Sequence, residues 1–199
     1  MKIFKTLFAK SSQQYTMDIG SKCKYPLDVL SNFTKTNLVY DGVQINSIEG
    51  FLQSLKTPDI NKQQEICLLV GYKAKKAGNK LKKKNIFDGE HLYWQGKTLL
   101  RNSNEYQEML KKIFAKKYTE DIKFRNALNK TGNYSLTHSI GKNDPSQTIL
   151  TENEFITLLT SLRNTQTVCF KDKLQLFVQR KYEHIMSFFK KLSNFQIGI

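Results

Sequence analysis

Arginine and cysteine are scarce in this chain, and long apolar runs are missing altogether. Of its 32 basic residues 28 are lysine and four arginine. The planar guanidinium forks that read bases or clamp phosphates are therefore few. The three cysteines, Cys23, Cys67 and Cys169, stand far apart and form no C-x-x-C or Cys/His spacing. That argues against a zinc site or a disulfide framework, and for free thiols in a reducing compartment. No run approaches the roughly 18 apolar residues of a membrane span. The opening MKIFKTLFAK is basic and apolar, but Lys5 and Lys10 interrupt it too soon for a secretory core. A cytoplasmic protein without membrane contact is the expectation. Nor is there a Gly-rich phosphate loop, a Ser/His/Asp arrangement or metal-ligand spacing, so neither a metal nor a cofactor is expected.

Acidic residues are also few: 17 against 32 basic ones, a net charge of +15 over 199 residues. Such a surface attracts polyanions, whether nucleic acid, nucleotides, polyphosphate or an acidic protein. The plainer reading is a solvated, lysine-rich surface, and composition alone leaves both open. With 39% hydrophobic and 12% aromatic residues the chain has material for a core, and its length suits one domain with an appendage.

Weak alternation in Lys2–Ala9 and Gln13–Ile19 suggests short strands or irregular packing. Leu38–Tyr40, Asp41-Gly42 and Val43–Ile45 read as a β-hairpin, because Asp-Gly favours a tight primed turn. A helix follows from Asn46 or Ser47 to Lys56, stopped by Thr57-Pro58. One long helix is expected over Asn61–Ala77, with Gly78 as its stop, and then a basic loop at Lys80–Lys84. The segment HLYWQGK holds the only tryptophan. Further helices are expected over Ser103–Lys117 and Thr119–Asn129, and another from Thr151 to Arg163 with a T-x-x-E capping box to Glu154. Asp172–Leu192 reads as a C-terminal amphipathic helix with a basic outer face. It either packs on the domain or binds a partner or a membrane surface.

The most organised stretch is Leu30–Lys56. Its helix carries an apolar stripe, Ile48, Phe51, Leu52 and Leu55, and a polar edge, Glu49, Gln53 and Lys56. At i, i+4 and i+7 those three share one side of the helix. Four polar clusters are candidates for chemistry: Ser31-Asn32, the Glu49/Gln53/Lys56 edge, Tyr93-Trp94, and His138 to Asp144. Each also has a bland explanation: ordinary surface pairing for Glu49 and Lys56, a core position for Trp94, a local turn for Asn32.

Together these pieces resemble the NADAR family, also called YbiA-like N-glycosidases. The resemblance rests on Leu30-Ser31-Asn32-Phe33, the Asp41-Gly42 hairpin, and Ser47, Glu49, Gln53 and Lys56 as S-x-E-x-x-x-Q-x-x-K. Downstream it includes the lysine-rich Lys73–Gly78, LYWQGK, the Thr131-Gly132 turn, Leu136–Pro145, and the Leu162-Arg163 helix end. It covers roughly residues 25–163, leaving 1–24 as an N-terminal strip and 164–199 as a C-terminal extension. It implies a compact α+β, mostly helical domain with a small β-hairpin, which hydrolyses the C1′–N bond of a ribosylated or ADP-ribosylated amine. ADP-ribose on the guanine amino group of nucleic acid is one such substrate, and a toxin that places it there is an implied partner. The alternatives are ribosylamino-pyrimidine phosphates of riboflavin synthesis, or a module that binds ADP-ribose or a related nucleotide without turnover.

Loss of an amine from ribose builds positive charge at the anomeric carbon, which a carboxylate stabilises while activating water. Glu49 is expected in that role, with Asp144 orienting water or the leaving amine. Lys56 is expected either to form an imine with the opened sugar or to hold a phosphate or ribose oxygen. Asn32 and Gln53 suit ribose hydroxyls, because an amide both donates and accepts. Ser31, Phe33 and His138 complete the expected substrate site, with Tyr93 or Trp94 stacking on the base.

Overall fold

The computed structural model describes residues 15–84 and 86–165. The chain divides into two units, Met1–Leu159 and Thr160–Ile199. In the second only residues 160–165 are described, and they are helical. The expected strand at Lys2–Ala9, the helix over Asp172–Leu192 and Cys169 all lie outside the described residues. No helix among the described residues is long and apolar enough to cross a membrane.

The first unit is a helical α+β domain with three two-stranded sheets. In chain order its elements are β1 (Thr16–Asp18), β2 (Leu38–Tyr40), β3 (Val43–Ile45), α1 (Ile48–Ser54), α2 (Ile60–Cys67), α3 (Tyr72–Lys83), β4 (His91–Trp94), β5 (Lys97–Leu100), α4 (Asn104–Glu120), α5 (Ile122–Lys130) and β6 (Ser135–Thr137). A sixth helix, α6, begins at residue 152. β2–β3 and β4–β5 are antiparallel hairpins, and β1 pairs in parallel with β6, Met17 opposite Leu136. The Asp41-Gly42 turn has both residues at positive φ, 49° and 76°, as a primed turn requires.

α1 lies at the centre, with all seven residues buried. The Ser47 hydroxyl starts it, accepting from the Gly50 N–H at 2.9 Å while donating to the Leu69 carbonyl at 2.8 Å. One side chain thus caps α1 and ties it to the end of α2. Glycine at position 50 is a steric requirement. A Cβ there would lie 2.8 Å from the Leu69 carbonyl oxygen and 2.9 Å from that of Ile66. The apolar face of α1 packs Phe51 edge-on against Trp94 (5.1 Å, 69°) and Tyr40 (5.7 Å, 78°). Such pairs contribute roughly 0.5–1.5 kcal/mol beyond their buried area. The Trp94 indole N–H donates to Asp41 Oδ2 at 2.9 Å, joining the two hairpins across this aromatic cluster. Gln63, fully buried, donates to the carbonyls of Thr57 (2.7 Å) and Tyr93 (3.0 Å) and accepts from the Gln95 N–H (3.0 Å). Its amide holds the corner after α1 to the β4–β5 hairpin.

The single helix expected over Asn61–Ala77 is two helices. The chain breaks between Cys67 and Tyr72, where Gly71 adopts φ +57°, a conformation that disfavours any residue with a Cβ. α3 then runs through Gly78 to Lys83, so the expected basic loop at Lys80–Lys84 is mostly the last turn of a helix. Gly78 is not a stop. It is buried where α3 crosses α1, and a Cβ on it would fall 1.7 Å from Gln53 Oε1. The capping box is present: the Glu154 N–H donates to Thr151 Oγ1 at 3.1 Å, and the Thr151 N–H donates to Glu154 Oε2 at 2.7 Å.

Two substitutions test this packing. Gly50→Ala is expected to lower stability by roughly 1–3 kcal/mol, the range for overpacked cores, read as a shift of the denaturant midpoint. Gly78→Ala should also destabilise, but Gln53→Ala in the same chain should recover much of the loss. Strict additivity in that double-mutant cycle would contradict the contact.

Candidate active site

Beside the polar edge of α1 lies a cavity of about 630 Å³, within the range of small-molecule sites. Ser31, Asn32, Phe33, Glu49, Gln53 and Lys56 all line it, and His138 stands at another wall. The Ser31–Phe33 segment is anchored by the Glu49 N–H, which donates to the Asn32 carbonyl at 2.9 Å. The Phe33 N–H closes a small turn onto Ser31 Oγ at 3.2 Å. An otherwise unused donor at the first turn of α1 therefore positions the Asn motif over the helix start.

Glu49, Gln53 and Lys56 are only 8%, 6% and 8% exposed. Gln53 Nε2 donates to Glu49 Oε1 at 3.0 Å, and Gln53 Oε1 is buried without a hydrogen-bond partner. That oxygen lies against Gly78, where α3 crosses α1. Burial pushes the Glu49 carboxyl above its ordinary range, opposed by the bond from Gln53 and by the charges of Lys75, Lys56 and His138. Burial pulls the Lys56 ammonium down to about 8, although the Glu49 charge holds it up. Its Nζ lies 5.3 Å from the centre of the Phe87 ring. The edge thus holds a carboxyl raised by burial beside an amine drawn down by it.

α3 supplies a second polar row, Lys75, Asn79 and Lys82. These too are spaced i, i+4, i+7, so one side of α3 meets the cavity as one side of α1 does. Lys75 Nζ stands 5.7 Å from the Phe33 ring centre. With Lys142, the lining carries four lysines against Glu49 and Asp88. That balance favours an anionic ligand, a phosphate or diphosphate above all. Asp88 accepts the N–H groups of Glu90 and His91, both at 2.8 Å, and meets His91 Nδ1 at 2.6 Å. These bonds, the His91 N–H first, hold its carboxyl down at about 2 and fix the loop that carries Phe87.

The His138 wall is assembled from distant segments. His138 Nδ1 meets the Ile19 carbonyl at 2.7 Å. A carbonyl only accepts, so Nδ1 carries the proton and Nε2 is the ring's free acceptor. Phe155 packs edge-on against the imidazole at 5.2 Å. Asp18 accepts from the Ser139 N–H (2.7 Å) and hydroxyl (2.6 Å), and these bonds hold its carboxyl below the usual range. Further along, Arg101 pairs two-pronged with Glu154 (2.9 and 2.6 Å) and donates from Nε to the Thr148 carbonyl at 3.1 Å. The Thr148–Thr151 side of the cavity is thereby clamped.

Three expected site residues are elsewhere. Trp94 is 2% exposed in the aromatic cluster and offers no face to a ligand. Tyr93 does not line the cavity; its backbone N–H donates to the Leu55 carbonyl at 2.8 Å. Asp144 lies in an adjoining hollow of about 340 Å³. Its carboxylate is engaged by Ser146 (2.9 and 2.7 Å) and Gln147 (2.9 Å), which shape its own turn. The aromatic walls of the cavity are instead Phe33, Phe87 and Phe155. Sequence reasoning missed Lys75, Asn79, Lys82 and Phe87. The row on α3 had a legible signal, because it repeats the spacing of the row on α1. Phe87 had none. Among the described residues no group of three or more His, Cys, Asp or Glu is placed to hold a metal ion.

Comparison with known proteins bears on family and fold. A family model described as bacteriophage protein GP30.3 matches residues 24–164. An uncharacterized 17.1 kDa protein from the Gp30–rIII intergenic region of Enterobacteria phage T4 is 33% identical over 150 residues, 75% of this chain and 97% of that one. The NMR structure of E. coli YbiA superposes with a TM-score of 0.53 at 16% identity, covering 81% of this chain and 89% of YbiA. The fold is YbiA-like, and the chain belongs to the bacteriophage GP30.3 family, a family of NADAR type.

Proposed function

We propose that this domain is an N-glycosidase that hydrolyses the C1′–N bond of a ribosylated or ADP-ribosylated amine. The observation that carries this reading is the buried Glu49–Gln53–Lys56 edge at a lysine-rich cavity. As the C1′–N bond lengthens, positive charge grows on the sugar, and the Glu49 carboxylate stabilises it from a site where water screens little. Gln53 holds that carboxylate in one orientation through its 3.0 Å bond. The Asn32 amide suits a ribose hydroxyl, and Lys75, Lys82 and Lys142 suit phosphate.

Lys56 supports a covalent route. An amine whose proton is held only to about 8 is partly neutral at physiological pH and can attack the anomeric carbon. In this route Lys56 Nζ bonds to C1′ as the C1′–N bond breaks, and the leaving amine takes the proton that Nζ gives up. The bond from C1′ to the ring oxygen then opens, that oxygen takes the second Nζ proton, and C1′ and Nζ are left joined as an imine. A water molecule then hydrolyses the imine, which frees the sugar and restores the amine. His138 lines the same cavity, and the Nε2 of its neutral ring can accept a proton.

Incubation with an ADP-ribosyl-guanine oligonucleotide, and separately with ribosylamino-pyrimidine phosphate, should release free sugar from one of them. Glu49→Gln is expected to lower kcat by about 10²-fold or more, the scale of general acid–base catalysis, with an unchanged unfolding transition. Full activity in that variant would remove Glu49 from the mechanism. Borohydride added during turnover should trap a sugar on Lys56, and none on Lys56→Arg. Because the acting form of Lys56 is the neutral amine, kcat/KM should rise with pH and level off above about 8. A fall through the same range would instead make the ammonium the acting form.

A further inference from the structure

α3 carries more charge than the cavity uses. Its 12 residues include six lysines and no acidic residue. On α2 and α4 lysines have acidic neighbours one turn away, as in Lys62–Glu65, Lys111–Glu108, Lys116–Glu120 and Lys117–Asp121. Among the described residues no lysine of α3 is in an ion pair. The helix dipole favours Lys80, Lys82 and Lys83 in the last turn, but opposes Lys73, Lys75 and Lys76 near the start. Like charges at i, i+3 and i, i+4, such as Lys73 with Lys76 and Lys76 with Lys80, oppose the helix further. An isolated domain gains nothing from this arrangement.

At 100° per residue the helix sorts these cations into two groups. Lys75 and Lys82 line the cavity with Asn79, while Ala74, Gly78 and Leu81 are buried. Lys73, Lys76, Lys80 and Lys83 stand exposed on the outer side, and Tyr72, 71% exposed, begins the row. Over a helix of about 18 Å, the four outer lysines give roughly one charge per 4–5 Å, of the same order as the 3.4 Å per phosphate along one strand of a duplex. An exposed tyrosine beside such a row offers a face for a base to stack on.

We propose that the outer face of α3 binds the phosphate backbone of a nucleic-acid strand, and so delivers a ribosylated nucleotide within that strand to the adjoining cavity. The delivery half rests on the N-glycosidase reading; the binding half does not. Lysine without arginine gives backbone contact with no reading of bases, so the binding is independent of sequence.

The test uses the full chain, an unmodified fluorescent single-stranded oligonucleotide and a salt series. The triple variant Lys73→Gln, Lys76→Gln, Lys80→Gln lies outside the cavity lining and should fold normally. Its Kd should rise about tenfold or more, and the slope of log K against log salt should become shallower by about 2, three contacts at roughly 0.7 each. Arginine at the same three positions should restore both. An unchanged slope and Kd overturns the proposal. So does retained oligonucleotide affinity alongside lost binding to polyglutamate, which would make the partner an acidic protein. On substrates, kcat/KM should fall in the triple variant for a ribosylated base within a strand and stay level for the free nucleotide. If the unaltered protein cleaves neither while the salt slope falls as expected, strand binding stands and the glycosidase reading fails. Cleavage with an unchanged slope upholds the glycosidase and overturns strand binding by α3.

Discussion

The domain is organised around the burial of polar groups on the central helix. Glu49 and Gln53 sit on a helix with no exposed side, and Lys56 lies just past its end, equally buried. Taking an isolated carboxylate or ammonium out of water costs several kcal/mol, so the surroundings must offset this or let the groups shed charge. Both occur. Gln53 and the nearby cations support the Glu49 carboxylate, while burial draws Lys56 towards the neutral amine. The remainder comes from the opposite face of α1, where Phe51, Trp94 and Tyr40 interlock, and from the double use of the Ser47 hydroxyl. The reactive edge exists because the apolar edge of the same two turns holds it in place.

Two glycines set how closely that edge is enclosed. At Gly50 the missing side chain lets the carbonyls that end α2 come within contact of α1. At Gly78 it lets α3 lie directly on the Gln53 amide. The cavity wall is consequently two helices deep, one presenting a carboxyl, an amide and an amine, the other two ammonium groups and an amide.

What could be read from the residues was local. The Asp41-Gly42 turn, the Ser47 cap and the Thr151/Glu154 box all depend on neighbours within a few positions, and each was legible. The polar edge of α1 was legible because helical spacing alone puts its residues together. The break between α2 and α3 was not: apolar periodicity runs through Leu69 and Val70, so the helix was expected to continue to Ala77 with Gly78 as its stop. A glycine's meaning depended on what crosses it, and Gln53 is 25 positions away in sequence. Trp94 and Asp144 illustrate the same limit. An aromatic or a carboxylate near a motif looks available, yet Trp94 was claimed by the core and Asp144 by its own turn. Phe87, which stands against Lys56, follows no pattern that spacing could reveal.

The His138 wall belongs to a different scale of the chain from the wall opposite. α1, α2 and α3 follow one another within 36 residues, from 48 to 83, and their contacts form with little loss of chain entropy. The imidazole is held by Ile19 across a separation of 119 residues, and the β1–β6 pairing spans the same gap. Closing so long a loop is entropically unfavourable, and contacts of this kind slow folding. The half of the cavity bearing Glu49 and Lys56 can therefore take shape while still open to water. It is enclosed only where the two ends of the domain meet. The chemistry-bearing wall is thus local in the chain, and its cover is not.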